Sequence, residues 1–160
     1  MTDAIVFVVF PLCLAIAACS DFLTMTIPNR VSAILLASFI VVAPLAGLGL
    51  PEIASHLAAG LIVFSVCFAL FAFNLMGGGD AKLLTASAVW FGLTFSLFEF
   101  LVYVSFLGGV MTLAIISLSA HTPVPDSLVM AKKVPYGIAI GVAAFMAYPS
   151  SPLMLAALGG

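Results

Sequence analysis

The sequence predicts an all-α membrane protein, a bundle of about six transmembrane helices, and three observations carry that reading. Of its 160 residues 65% are apolar and only 6% are charged, whereas about a quarter of a water-soluble domain is charged. The four basic and six acidic residues divide the chain into six long uncharged runs. Those runs do not alternate: Ile34-Leu35-Leu36 and Val41-Val42 break the two-residue period of a transmembrane β-strand. Disorder is excluded by the abundance of Val, Ile, Leu and Phe. A net charge of −2 offers no basic surface, so no nucleic-acid partner is expected. No internal repeat or linker interrupts the chain, and residues 1–160 read as one domain in a lipid bilayer.

The uncharged runs are 4–20, 31–51, 53–79, 83–98, 100–125 and 134–160. A spanning helix needs about 20 apolar residues, with a range of roughly 17–25. Run 83–98 is slightly short, but Lys82 and Glu99 at its ends can reach the two interfaces. The last run contains Pro149 and Pro152, so its helix either ends near Tyr148 or continues kinked; five spans and a terminal re-entrant segment is the alternative count. With six spans, connections 21–30, 76–82 and 120–133 share one side and hold Arg30, Lys82, Lys132 and Lys133, every basic residue present. The other side holds Asp3, Glu52 and Glu99. The positive-inside rule then makes the basic side cytoplasmic and puts both termini outside.

Ile16-Ala17-Ala18-Cys19 has the look of a lipoprotein cleavage box, but Asp3 stands where a signal peptide needs positive charge. Cys13, Cys19 and Cys67 lie inside apolar stretches and form no CxxC pair, which leaves no four-cysteine zinc site. His56 falls on the outer side and reads as interfacial. His121 sits near Pro123 and Pro125 with no companions for a metal, and Asp126 has no assigned task. No metal and no cofactor is expected.

Two acids stand apart. Asp21 closes the first uncharged run, and Asp80 follows Gly77-Gly78-Gly79 at the end of the third. Both belong to cytoplasmic helix ends in this topology. Charged residues near membrane depth are rare and point to function. Two carboxyl groups that share a proton can hydrolyse an amide, one activating water and the other protonating the substrate. The three glycines are expected to break the helix, permit positive φ and let other backbone approach. An extended substrate could then pair with that backbone. No Lys-Ser/Thr follows the glycines, so they do not form a phosphate loop.

Gly77-Gly78-Gly79-Asp80 resembles the GxGD motif of membrane aspartyl proteases, and Lys82 fits the GxGDxK form of the type IV prepilin peptidase family. Asp21 followed by Ile27-Pro28-Asn29 is similar to that family's first-aspartate motif, and Pro135-Tyr136-Gly137 to its Pro-Phe/Tyr-Gly signature. The three matches come in family order and on one side. The resemblance implies an endopeptidase of the bacterial inner (cytoplasmic) membrane. Its catalytic pair would be Asp21 and Asp80, and its partner a prepilin or pseudopilin with a positively charged leader and a hydrophobic helix. Larger family members also N-methylate the new terminus through an insert with two CxxC pairs. The short connection 22–29 has no room for one, and the compact chain resembles the peptidases of Flp-type, tight-adherence pili.

The other motif residues carry less specific expectations. Lys82 steers acidic groups, tunes Asp80 or anchors its helix at lipid phosphates; positions 80 and 82 face different directions, which favours anchoring, as for Arg30, Lys132 and Lys133. Pro28 stiffens its connection, and Asn29 is expected to cap the second helix more than to hold substrate. Gly137 and Gly141 form a GxxxG pair suited to helix packing more than dimerisation. Two other functions fit the same residues: a proton-coupled transporter using Asp21 and Asp80, or a non-catalytic membrane subunit. The sequence does not fix the oligomeric state.

Overall fold

The computed structural model describes residues 2–121 and 134–159. The expectations placed on Asp126, Lys132, Lys133 and the side chain of His121 lie outside the described part. Among the described residues the chain is all-helical: α1 (Thr2–Thr24), α2 (Asn29–Leu45), α3 (Leu50–Ala72), α4 (Gly78–Phe91), α5 (Phe95–His121), α6 (Tyr136–Ala147), a 3₁₀ turn (Tyr148–Ser150) and α7 (Pro152–Gly159). Three helices, α1, α3 and α5, are long and apolar enough to cross a membrane alone. The segments Tyr136–Ser150 and Pro152–Leu158, bent by 47°, together make a fourth candidate span. The last run therefore continues beyond Tyr148, with the kink at its prolines. α2 and α4, with 17 and 14 residues, are shorter. The protein is a polytopic all-α membrane protein.

Helix ends depart from the charge-based runs in several places, and the break at Gly92 is the one that relocates a charged residue predicted to lie between helices. α4 stops at Phe91, eight residues before Glu99, because Gly92 takes a positive φ (66°), and the next helix begins at Phe95. Glu99 is consequently inside α5, where its carboxylate accepts a 2.8 Å hydrogen bond from the Ser150 hydroxyl. Charge marks where apolarity ends, not where a helix does, and the turn at Gly92 carries no charge. The closeness of Gly92 to His56 adds a second reason for glycine: a Cβ there would sit 2.8 Å from the ring.

α4 is the central helix. Leu83, Leu84 and every residue from Ala86 to Phe91 are buried, and α2, α3 and α6 all pack on it. Gly60 lets α3 approach α4 so closely that a Cβ there would run into the Val89 side chain. At the end away from Asp80, Trp90 fills the middle of an aromatic cluster with Phe10, Phe39 and Tyr148. Buried indole and phenol groups need hydrogen-bond partners, and these have them: Trp90 Nε1 donates to the Leu35 carbonyl (2.9 Å) and the Tyr148 hydroxyl to that of Val6 (2.8 Å).

His56 belongs to this core and not to an interface. It is buried, stacks on Phe39, and its Nδ1–H donates to the Val89 carbonyl at 2.7 Å. Burying the ring removes the need for interfacial water, because the helix carbonyl serves as acceptor instead. Cys13 and Cys67 are buried as expected of small hydrophobes, whereas Cys19 is exposed. Many large apolar side chains face outward, Leu61, Phe98 and Phe106 among them, as lipid contact requires.

Candidate active site

Asp21 occupies the last turn of α1. The helix ends just beyond it, where Met25 adopts a left-handed conformation (φ 52°) and its N–H returns to the Asp21 carbonyl. Hydroxyls brace the turn: Ser20 donates to the Thr26 carbonyl at 2.9 Å and Thr24 to the Ser20 carbonyl at 2.8 Å. The chain then runs through Ile27 and Pro28 into α2. Pro28, with extended geometry (φ −63°, ψ 130°), is the cap residue. Asn29 is already helical and makes no cap. Its side-chain oxygen instead accepts a 2.9 Å hydrogen bond from the Lys82 ammonium. Lys82 thus ties the start of α4 to the first turn of α2.

The three glycines work by lack of bulk and not by positive φ. Gly77 is the extended N-cap of α4 (φ −70°, ψ 141°), and Gly78 and Gly79 are its first helical residues. The expected break in the backbone is confined to the cap. Each glycine faces a different neighbour. A Cβ at Gly77 would lie 2.7 Å from the carboxylate of Asp80, one at Gly78 would lie 3.2 Å from the Phe71 ring, and one at Gly79 would lie 3.2 Å from Ile27. Ile27 is wedged from the other side by Gly137, whose Cβ would fall 2.9 Å from its Cδ1. One loop side chain thereby seats the N-termini of α4 and α6 against the end of α1.

These contacts bring the two aspartates to one cavity of about 620 Å³, lined by both and by Gly77 and Tyr136 from the sequence motifs. Asp21 is buried, and its Oδ2 accepts the backbone N–H of Gly137 at 2.7 Å. That N–H belongs to the first turn of α6, after the cap residue Pro135, where the unpaired amides and the helix dipole both favour a negative charge. Gly137 must be glycine for the same geometry, since a Cβ would stand 2.8 Å from the carboxylate it serves. Asp80 lies outside the segments long enough to span. Burial, and secondarily the Asp21 carboxylate across the cavity, push it up to about 6. Gly78, Gly79, Lys82, Pro28 and Asn29 shape the surroundings without lining the cavity.

The sequence motifs missed part of the wall. Met25, Asn74, Leu75, Met76 and Val134 also line the cavity. Met25 and Asn74 are the two described non-glycine residues with positive φ, a conformation that costs about 1–2 kcal/mol and clusters at functional sites. Asn tolerates that conformation and gave a faint signal after α3; Met gave none.

The raised Asp80 value has a stability consequence whose sign is definite. Below about pH 4 the carboxyl is protonated in both folded and unfolded chains; as pH rises through about 6 the folded protein must hold the charge and loses stability. Asp80→Asn is therefore expected to match wild type near pH 4 and to exceed it above pH 6. The difference should be of order 1 kcal/mol after solvent screening, read from thermal denaturation in detergent at both pH values. An equal effect at both would contradict the burial account.

A family model described as the type IV leader peptidase family matches residues 8–113, a stretch that includes both aspartates and all of α2, α3 and α4. No curated protein and no solved structure matches the chain.

Proposed function

The chain belongs to the type IV leader peptidase family, and from that premise we propose that it is an aspartyl endopeptidase that removes the basic leader of prepilins and pilin-like proteins. The observation that carries the reading is the shared cavity: two carboxyl groups 59 positions apart in sequence face the same space, one of them fixed by a helix N-terminus. Asp21, held by the Gly137 N–H, is the ionised base and takes a proton from water. Asp80, held protonated by burial up to about pH 6, passes its proton to the scissile carbonyl oxygen as hydroxide adds to the carbon and takes it back as the intermediate collapses. The proton on Asp21 then passes to the amide nitrogen, the C–N bond breaks, and leader acid and free amine separate. The pair is left with its original single proton.

Arg30 and Lys82 lie at this same end of the bundle, which supports a cytoplasmic active site, an inner-membrane location and termini on the opposite side. Only residues 25–28 separate α1 from α2, which supports a peptidase without the N-methyltransferase insert, as in Flp-type systems. The test is hydrolysis of a prepilin peptide by the protein in vesicles in ¹⁸O-water. Mass spectrometry should find cleavage between leader and apolar helix and one ¹⁸O in the leader's new carboxylate. An intact peptide, or a leader bound covalently to the protein, would defeat the reading.

A further inference from the structure

A second cavity adjoins the aspartates. It is an apolar groove of about 440 Å³ between α3 and α5. α3 packs on α4, and α5 mainly on α6, so the two outer helices stand apart with the groove between them. Its walls run from Ile62 to Leu70 on α3 and from Leu101 to Gly109 on α5. Each wall covers about 12 Å of helix, a little over two turns. The groove and the aspartate cavity share Met76, Asp80 and Tyr136. A chain lying in the groove would therefore emerge at the carboxyl groups.

We propose that this groove receives an uncharged helical segment of the substrate, and that the peptide bond next to that segment is the one placed over the aspartates. The inference rests on the endopeptidase reading and adds where the substrate binds. Among the described residues that line it, apart from Asp80 at its mouth and the Tyr136 hydroxyl, the only side-chain polar group with hydrogen-bonding strength is the Ser105 hydroxyl, which donates to the Leu101 carbonyl at 2.8 Å. A charge in the groove would find no partner, and an aliphatic surface would lose none. Ser105 and Gly109, one turn apart on α5, allow a helix backbone to come close. Only 11% of the apolar window of α5 is buried, which leaves that face for a partner within the bilayer.

Tyr136 sets the boundary between groove and cavity. Its hydroxyl is paired with that of Thr112 at 2.8 Å and its ring lies over Gly108, where a Cβ would come within 2.6 Å of it. Gly109 differs from its neighbour, because a Cβ there meets nothing within 4 Å. A large side chain at Gly109 can thus fill the groove without displacing existing packing.

The experiment uses the full protein carrying Asp21→Asn, in vesicles, so that the groove wall is intact and substrate is not consumed. The probe is a synthetic peptide with a lysine-rich leader and an uncharged helix of about 20 residues, bearing a benzophenone in the helix's first turns. Photoproducts are expected on residues 62–70 or 101–109, and adding Gly109→Leu should lower their yield about tenfold. With Asp21 intact, Gly109→Leu should lower kcat/KM for this peptide, relative to one truncated just after the scissile bond, by a similar factor. Adducts on the α1–α6 face would overturn the proposal, as would a yield indifferent to Gly109→Leu or a groove occupied by co-purifying phospholipid and no peptide. Groove adducts with wild type cleaving neither peptide would remove the peptidase reading and keep the docking surface. Cleavage of both peptides with an unchanged ratio would do the reverse.

Discussion

Replacing either Asp21 or Asp80 with asparagine is expected to reduce leader cleavage about 10⁴-fold, the upper end of what a positioned acid or base contributes. An amide has nearly the same size and keeps most packing, but it can neither accept the water's proton nor surrender one to the substrate. The two variants should fail in different ways. Asp21→Asn keeps a side-chain carbonyl that can still receive the Gly137 N–H, so the cavity is retained while the base is gone. Asp80→Asn removes a carboxyl whose ionisation the fold resists, so the less active protein is also the more stable one above pH 6. Leader loss followed by gel shift, beside the amount of protein in the membrane fraction, reads both effects. Cleavage surviving either change in a membrane-inserted protein would exclude the two-carboxylate mechanism and reopen the transporter and non-catalytic alternatives.

Gly137→Ala is expected to have the next largest effect, lowering kcat about 10²-fold, the order associated with misplacing a reacting group by about 1 Å. The added methyl would begin 2.8 Å from both Cβ and Oδ2 of Asp21 and 2.9 Å from Ile27. Neither neighbour can simply swing away, since Asp21 is attached to the end of α1 and Ile27 is wedged between α4 and α6. The carboxylate must shift from its N–H donor, and overpacking of this kind costs about 1–3 kcal/mol of stability. Gly141→Ala is the informative control. It meets Ala18 and the Leu14 carbonyl at 3.3 Å, a tight but more distant contact with α1, and it lies one turn away from the chemistry. Equal loss of activity in the two variants would show that helix spacing alone is being measured.

Much of this site was legible because charge is so scarce: among ten charged residues, two acids at helix ends stand out without any knowledge of the fold. What could not be read was the reason for their neighbours. Gly137 was visible as part of a motif and as a packing glycine, yet its N–H reaches Asp21 across 116 positions, and no local pattern encodes such a bond. Asn29 had the composition of a cap and the position of one. The Lys82 ammonium, brought near by the packing of α4 on α2, competes for the same side-chain oxygen. His56 was misplaced for a related reason. Its position along the uncharged run was right, but whether a helix residue faces lipid, headgroups or core depends on what packs against it, and here Phe39 and the Val89 carbonyl do.

The brevity of α4 has a consequence for the surrounding lipid. Fourteen residues rise about 21 Å, while the hydrocarbon layer is about 30 Å thick. The helix at the centre of the bundle therefore cannot reach both surfaces, and at least one of its two ends stops short of the layer's edge. Either the bilayer thins around the protein or water fills the dimple above the short end. Acyl-chain length thus enters the reaction as a variable: short-chain lipids would meet the bundle's centre at its own height, and long-chain lipids would have to deform to do so.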